Sequence, residues 1–259
     1  MTATLLISRD GPVARVFLNR PDVRNAFNDG VIAELTAAFA GFAADDTLRA
    51  VVLGGHGKAF CAGADLSWMR AMADYTWEQN RADAQGLADM LYAIWSCPVP
   101  VVGRVHGDCY AGGVGLAAVC DILVAADGVN FCLSEAKLGL LPATIGPYVV
   151  RALGEQASRR YFATAERFDA ARAHALGFVH EVVPADALDA KVDELVAALV
   201  ANGPAAVRAC KKLVQDVAGR PVDAALRAET ARRIADIRAS AEGREGVQAF
   251  LNKRDPSWR

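Results

Sequence analysis

The sequence predicts an α/β fold, with a layered strand-and-helix core followed by a helical C-terminal region. Three observations carry that prediction. Short Val-rich runs alternate with longer stretches of helical apolar spacing over the first two thirds of the chain. Glycine-rich stretches follow two of those runs, where strands hand over to other elements. From about Ala185 onward the strand pattern stops and helical spacing takes over.

The elements read in order as follows. "TLLIS" and "VARVFL" flank the turn signal "RDGP" and predict a hairpin. In "NDGVIAELTAAFAGFAAD", Ile32, Leu35, Phe39 and Phe42 fall at helical spacing, and Asn28 suits the N-cap. "RAVVLGG" is a short buried strand that ends in glycines. "WEQNRADAQGLADMLYAIWSC" is an amphipathic helix stopped by Pro98. "VPVVGRV" is the next strand, and the glycine turn of "CYAGGVGLAAVCD" leads into a buried helix. "DILVAAD" is another strand. The C-terminal helices are expected at Ala185–Ala201, Pro204–Val217, Pro221–Ser240 and Gly243–Asn252, punctuated by Gly203-Pro204, Gly219 and Gly243. This divides the chain at about Pro184 into a core, 1–184, and a helical region, 185–259, which is either an oligomerisation element or simply a cap on the core.

Composition narrows the function classes. With 53% hydrophobic and 22% charged residues, the chain has material for a sizeable core. A net charge of −2 offers no global attraction to nucleic acid or to an anionic membrane. The basic lean of the tail, from Ala201 onward, reads as a solvated helical face. No apolar run is long enough to span a membrane, and the N-terminus lacks the pattern of a signal peptide. The six cysteines form no CxxC pair and sit mostly among apolar or small residues. They read as buried, reduced thiols in a cytoplasmic protein, with no zinc site.

Chemistry is expected at the two glycine stretches, "GGHGKAFCAGADLSWM" and "CYAGGVGLAAVCD". Each follows a strand, and each can offer a backbone N–H to a common point. Two convergent N–H donors make an oxyanion hole for charge developing on a carbonyl oxygen. A tight turn needed only for packing remains the other reading.

The motifs "AFCAGADL", "HGDCYAGGVGLAAVCDI", "LSEAKLGLLP" and "ERFDAARAHALGFVHEVV" occur in the order and spacing of the crotonase family, the enoyl-CoA hydratases and isomerases. "LNRPDVRNAF" and "EGREGVQAFLNKRDPSW" agree, so the resemblance covers almost the whole chain. A nearer likeness, in "ADLSWM" and "LPATIGPYVVRALGE", is to bacterial hydratases of branched-chain acyl-CoA breakdown, of the methylglutaconyl-CoA hydratase type in leucine degradation.

The resemblance implies a fold of stacked ββα superhelical turns, with the C-terminal helices forming a trimer or a dimer of trimers. It implies an acyl-CoA substrate and no separate cofactor. Ala62 and Gly112 match the oxyanion donors, and Glu135 one of two catalytic glutamates. Val23 and Arg24 match the pantetheine and nucleotide path, and Ala64, Asp65 and Leu66 the adenine contact. Phe250 and Lys253 match positions that reach the CoA of a neighbouring subunit.

The departure is Gly115, which stands where hydratases carry the second glutamate. It is expected to open space for a branched acyl group. Hydration uses two proton transfers, so a substitute acid is needed unless Glu135 works alone. His106, Asp108, Cys109 and Tyr110 lie nearby, but none has a spacing that compels the role. A distal carboxylate on the acyl chain would want a cation, with Arg70, Lys137 and Arg104 as candidates. Hydration of a 2-enoyl-CoA is the leading expectation. Δ3,Δ2-isomerisation by Glu135 alone and non-catalytic acyl-CoA binding stand as alternatives, and RNA binding is disfavoured by the charge.

Overall fold

The computed structural model describes residues 3–259. The chain opens with the hairpin β1 (Leu5–Asp10) and β2 (Val13–Leu18), paired antiparallel with Leu5 opposite Leu18 and Asp10 opposite Val13. The turn is tighter than expected, because Arg9 and Asp10 stay in the strand and only Gly11 and Pro12 reverse the chain. Helix α1 (Asp29–Ala43) follows, and Asn28 caps it by accepting from Val31 N–H at 3.0 Å.

Three successive ββα turns build the core. The first is β3 (Ala50–Gly55), β4 (Ala59–Cys61), α2 (Leu66–Ala73) and α3 (Trp77–Trp95). The second is β5 (Val101–Val105), β6 (Asp108–Tyr110) and α4 (Gly112–Ala118). The third is β7 (Ile122–Ala126), β8 (Asn130–Cys132), α5 (Gly146–Leu153) and α6 (Glu155–Thr164). Next come β9 (Arg167–Asp169), α7 (Ala170–Ala175) and β10 (Glu181–Val183). Each turn gives its first strand to one sheet and its second strand to another. The larger sheet runs β1-β2-β3-β5-β7-β10, and the smaller runs β4-β6-β8-β9. From β2 onward every pairing in the larger sheet is parallel. That explains the unbroken apolar runs: all six residues of the central β3 are buried.

Four helices complete the chain: α8 (Leu188–Ala201), α9 (Pro204–Val217), α10 (Ala224–Ala239) and α11 (Ala241–Leu251). Helix α8 packs on β3, β5 and β7, and its Leu188, Val192 and Val196 enter the main core. The last two helices start at their caps rather than at the expected Pro221 and Gly243. Asp223 accepts from Leu226 N–H at 2.8 Å, and Ser240 accepts from Gly243 N–H at 3.0 Å.

All six cysteines are free. Four are buried, Cys120 is half-buried and Cys210 is exposed. Burial pushes the Cys61 thiol up to about 12, so it stays protonated. Among the described residues, no helix is long and apolar enough to cross a membrane.

Candidate active site

The smaller sheet delivers the candidate site residues. β4 and β8 flank β6, and both pair with it in parallel. Their carboxyl ends therefore stand side by side. The loop after β4 carries Ala62 and Ala64, the turn after β6 carries Ala111 and Gly112, and the chain after β8 reaches Glu135 within three residues. Parallel strands that end together, with connections leading away, leave such a crevice at their carboxyl edge.

The crevice is a cavity of about 450 Å³. Its floor holds Ala62, Ala64, Ala111 and Gly112. One wall is α2 and α3, with Leu66, Trp68, Met72, Asn80, Asp83 and Leu87. The rest of the lining comes from the chain between Ser134 and Ile145, including Glu135. Five of the expected residues thus meet in one place: Ala62, Ala64, Leu66, Gly112 and Glu135.

Close backbone approach answers why glycine is needed here. A Cβ on Gly113 would overlap the Cys61 carbonyl, so this glycine lets α4 lie directly against β4. Gly63, at φ +90°, has a backbone that side chains avoid, and a Cβ there would sit 2.8 Å from that of Ala111. Ala111 itself holds φ +47°, ψ −122°, a strained conformation for a residue with a side chain. Its N–H donates to the Cys132 carbonyl at 2.7 Å, which pins the turn.

The hydrogen bonds correct the expected donor pair. The Ala62 N–H donates to the Arg24 carbonyl at 3.0 Å and is not available to a ligand. Two residues on, the backbone runs parallel to Phe27. The Phe27 N–H donates to Gly63 O at 2.7 Å, and Asp65 N–H donates to Phe27 O at 2.7 Å. Alternation along an extended chain then turns the Ala64 N–H away from Phe27. Neither Ala64 N–H nor Gly112 N–H has an acceptor among the described residues. The pair facing the cavity is therefore Ala64 and Gly112.

Glu135 opens a short 3₁₀ turn, Glu135–Leu138, and is half-buried. Burial raises its pKa, partly offset by its own backbone N–H. Its Oε2 is buried with no hydrogen-bond partner.

Gly115 does not open the expected space. A Cβ there would overlap Ile145, a buried residue whose side chain fills the position. No acid stands there, and the volume is occupied.

Val23 is 42% exposed at the end of a 3₁₀ turn, Pro21–Val23. Arg24 lines an adjoining cavity of about 230 Å³ with Lys58, Asp108 and Tyr110, and Ala62 borders both cavities. The Asp65 side chain is spent internally. It caps α2 through Ser67 N–H at 2.8 Å and pairs with Arg20 at 2.8 Å; the Ser67 bonds and Arg20 hold its pKa low. Phe250 is 82% exposed, and neither it nor Lys253 lines these cavities within one chain.

The other candidates are engaged elsewhere. His106 Nε2 meets the Gly57 carbonyl at 3.0 Å, Cys109 is buried, and Tyr110 donates its hydroxyl to Asp108 at 2.7 Å. Arg104 forms a two-pronged pair with Asp189. Arg70 and Lys137 are exposed.

The cavity also contains groups that sequence reasoning missed. Asn80, Asp83, Ala84 and Leu87 follow the i, i+3, i+4, i+7 pattern, and Met90, Leu91 and Ile94 continue that stripe into the core. An asparagine and an aspartate on an otherwise apolar helix face were the available signal. Lys58, beside Arg24, was missed as well.

Comparison with known proteins adds the family. The family model described as enoyl-CoA hydratase/isomerase matches residues 8–259. A solved enoyl-CoA hydratase from Shewanella pealeana is 41% identical, with a TM-score of 0.95, over 99% of this chain and 96% of that one. An enoyl-CoA hydratase from Mycobacterium smegmatis is 37% identical, with a TM-score of 0.94, over 99% of each chain. Carnitinyl-CoA dehydratase from Citrobacter koseri is 33% identical over 264 residues, covering 100% of this chain and 99% of that protein.

Proposed function

The chain belongs to the enoyl-CoA hydratase/isomerase family, and from that premise we propose that it adds water across the C2=C3 bond of a 2-enoyl-CoA. The observation that carries this reading is the meeting, in one cavity, of two unpaired backbone N–H groups with a half-buried glutamate. Ala64 and Gly112 N–H groups bind the thioester oxygen and stabilise the enolate that forms when water attacks C3. Glu135 takes a proton from that water, and the α-carbon is protonated in turn. The CoA thioester is the substrate, and no further cofactor enters the chemistry.

Arg24 and Lys58, beside the same floor, suit the phosphates of CoA, with Val23, Ala64, Asp65 and Leu66 along its path. Phe250 and Lys253 serve a neighbouring subunit in a trimer or a dimer of trimers. Exposed Val247, Phe250 and Leu251 on α11 support that assembly. Free cysteines fit a cytoplasmic setting. The acyl pocket is largely apolar and accepts a branched chain. The methylglutaconyl-type chain adds a distal carboxylate, for which the cavity lining holds no cation; exposed Arg70 and Lys137 are the nearest candidates by sequence.

One observation favours a second reading. With Ile145 filling the place of the second glutamate, Glu135 alone suffices for Δ3,Δ2-isomerisation. A proton NMR time course of crotonyl-CoA and 3-methylglutaconyl-CoA in D2O, with wild type and Glu135→Gln, separates the two. A 3-hydroxyacyl product that the variant loses supports hydration. α-Deuteration or a migrated double bond without added water moves the assignment to isomerase, and binding with no turnover of either thioester rejects both.

A further inference from the structure

We propose that Asp83, on α3, is the second proton-transfer group of the site, replacing the acid that α4 lacks. This rests on the hydration reading above. Position 115 is closed to a side chain by Ile145, so a second acid, where hydration uses one, comes from another part of the lining. Asp83 and Glu135 are the two carboxyl groups lining the cavity, one on α3 and the other on the chain after β8. An acyl group held in this cavity shares it with both carboxyls.

Asp83 is also held in place. The Trp68 indole N–H donates to Oδ1 at 2.9 Å, and Trp68 is buried at the α2 side of the same wall. Oδ2 makes no hydrogen bond among the described residues, so one oxygen is anchored and the other is free for a ligand. Burial raises the Asp83 pKa, as it does that of Glu135, which suits both groups to exchanging protons nearer neutrality.

Glu135, ionised, takes a proton from water as the C3–O bond forms. The C2=C3 electron pair moves onto the thioester oxygen, held by Ala64 and Gly112. Asp83, protonated, donates to C2 as the enolate collapses, and the product leaves as a 3-hydroxyacyl-CoA. Proton exchange with solvent resets both carboxyls.

The test is steady-state hydration of crotonyl-CoA by wild type, Asp83→Asn, Asp83→Glu and Glu135→Gln. Asparagine keeps the acceptor for Trp68 and removes only the ionisable proton. The expected result for Asp83→Asn is a kcat about 100-fold lower or more, a KM within about threefold, a melting temperature no lower than that of wild type and partial recovery in Asp83→Glu. A kcat within about threefold of wild type makes Asp83 a tether for Trp68 and overturns the proposal. A raised KM with kcat preserved makes it an acyl-binding group and overturns it too. Should wild type itself fail to hydrate any enoyl-CoA, the hydration reading falls and this assignment with it. A fast Asp83→Asn enzyme beside a dead Glu135→Gln enzyme sinks only the role of Asp83.

Discussion

Glu135 concentrates the tension between stability and chemistry at the scale of one residue. Its carboxyl is half-buried, with one oxygen unpartnered, and burial raises its pKa above the ordinary value. For a base, the raised pKa moves the acid limb of kcat/KM upward: activity falls as pH drops through a pKa higher than that of an exposed glutamate, about 4.3. The stability consequence has the opposite sense. A carboxyl with a raised folded-state pKa stabilises the fold fully below its unfolded pKa, and that contribution is lost as pH rises through the folded value. Glu135→Gln is therefore expected to melt higher than wild type at pH 7, with the difference closing near pH 4. Thermal melts at both values check this, and a variant less stable at pH 7 would contradict the assigned burial. The proposed oxyanion donors were only partly legible at this scale. The glycine turns pointed to the right loops. Choosing Ala64 over Ala62 depended on which N–H was already bonded, and that is a property of the neighbouring chain at Arg24 and Phe27.

Secondary-structure elements decide what the site lacks. Helix α4 lies so close to Ile145, the residue capping α5, that position 115 admits no side chain. Gly115→Glu is expected to destabilise the protein by about 1–3 kcal/mol or more through overpacking, with no gain in hydration. Combining it with Ile145→Ala is expected to recover part of that loss. Urea denaturation of the single and double variants reads both effects, and a Gly115→Glu protein as stable as wild type would mean that α5 yields easily. Helix α3 shows the converse case. Its apolar stripe was recognisable by spacing, yet the same stripe passes from cavity wall at Asn80 and Asp83 to buried core at Met90, Leu91 and Ile94. Helical periodicity marks a buried face. It does not say whether that face meets protein or an open crevice.

On the scale of the whole molecule, the apolar surface of α11, with Phe250 82% exposed, is what a single chain leaves uncovered. Light scattering is expected to give at least three times the 27.4 kDa chain mass, and Phe250→Asp to lower it. A monomer in both samples would reject the trimer. The sequence by itself determined the first five strands of the larger sheet, helices α1, α3, α4 and the four C-terminal ones, the cap at Asn28, the stop at Pro98, and the family. Those features rest on local signals: apolar period, capping chemistry and glycine turns. The smaller sheet was invisible because β4, β6, β8 and β9 are three residues each, too short to show a period. Only the tertiary structure aligned their carboxyl ends, and with them Ala64, Gly112 and Glu135. It also brought Asp83 and Glu135 to one cavity and set Ile145 against Gly115. Those contacts join residues far apart in the chain, and close approach between such residues is set by packing rather than by any pattern along the sequence.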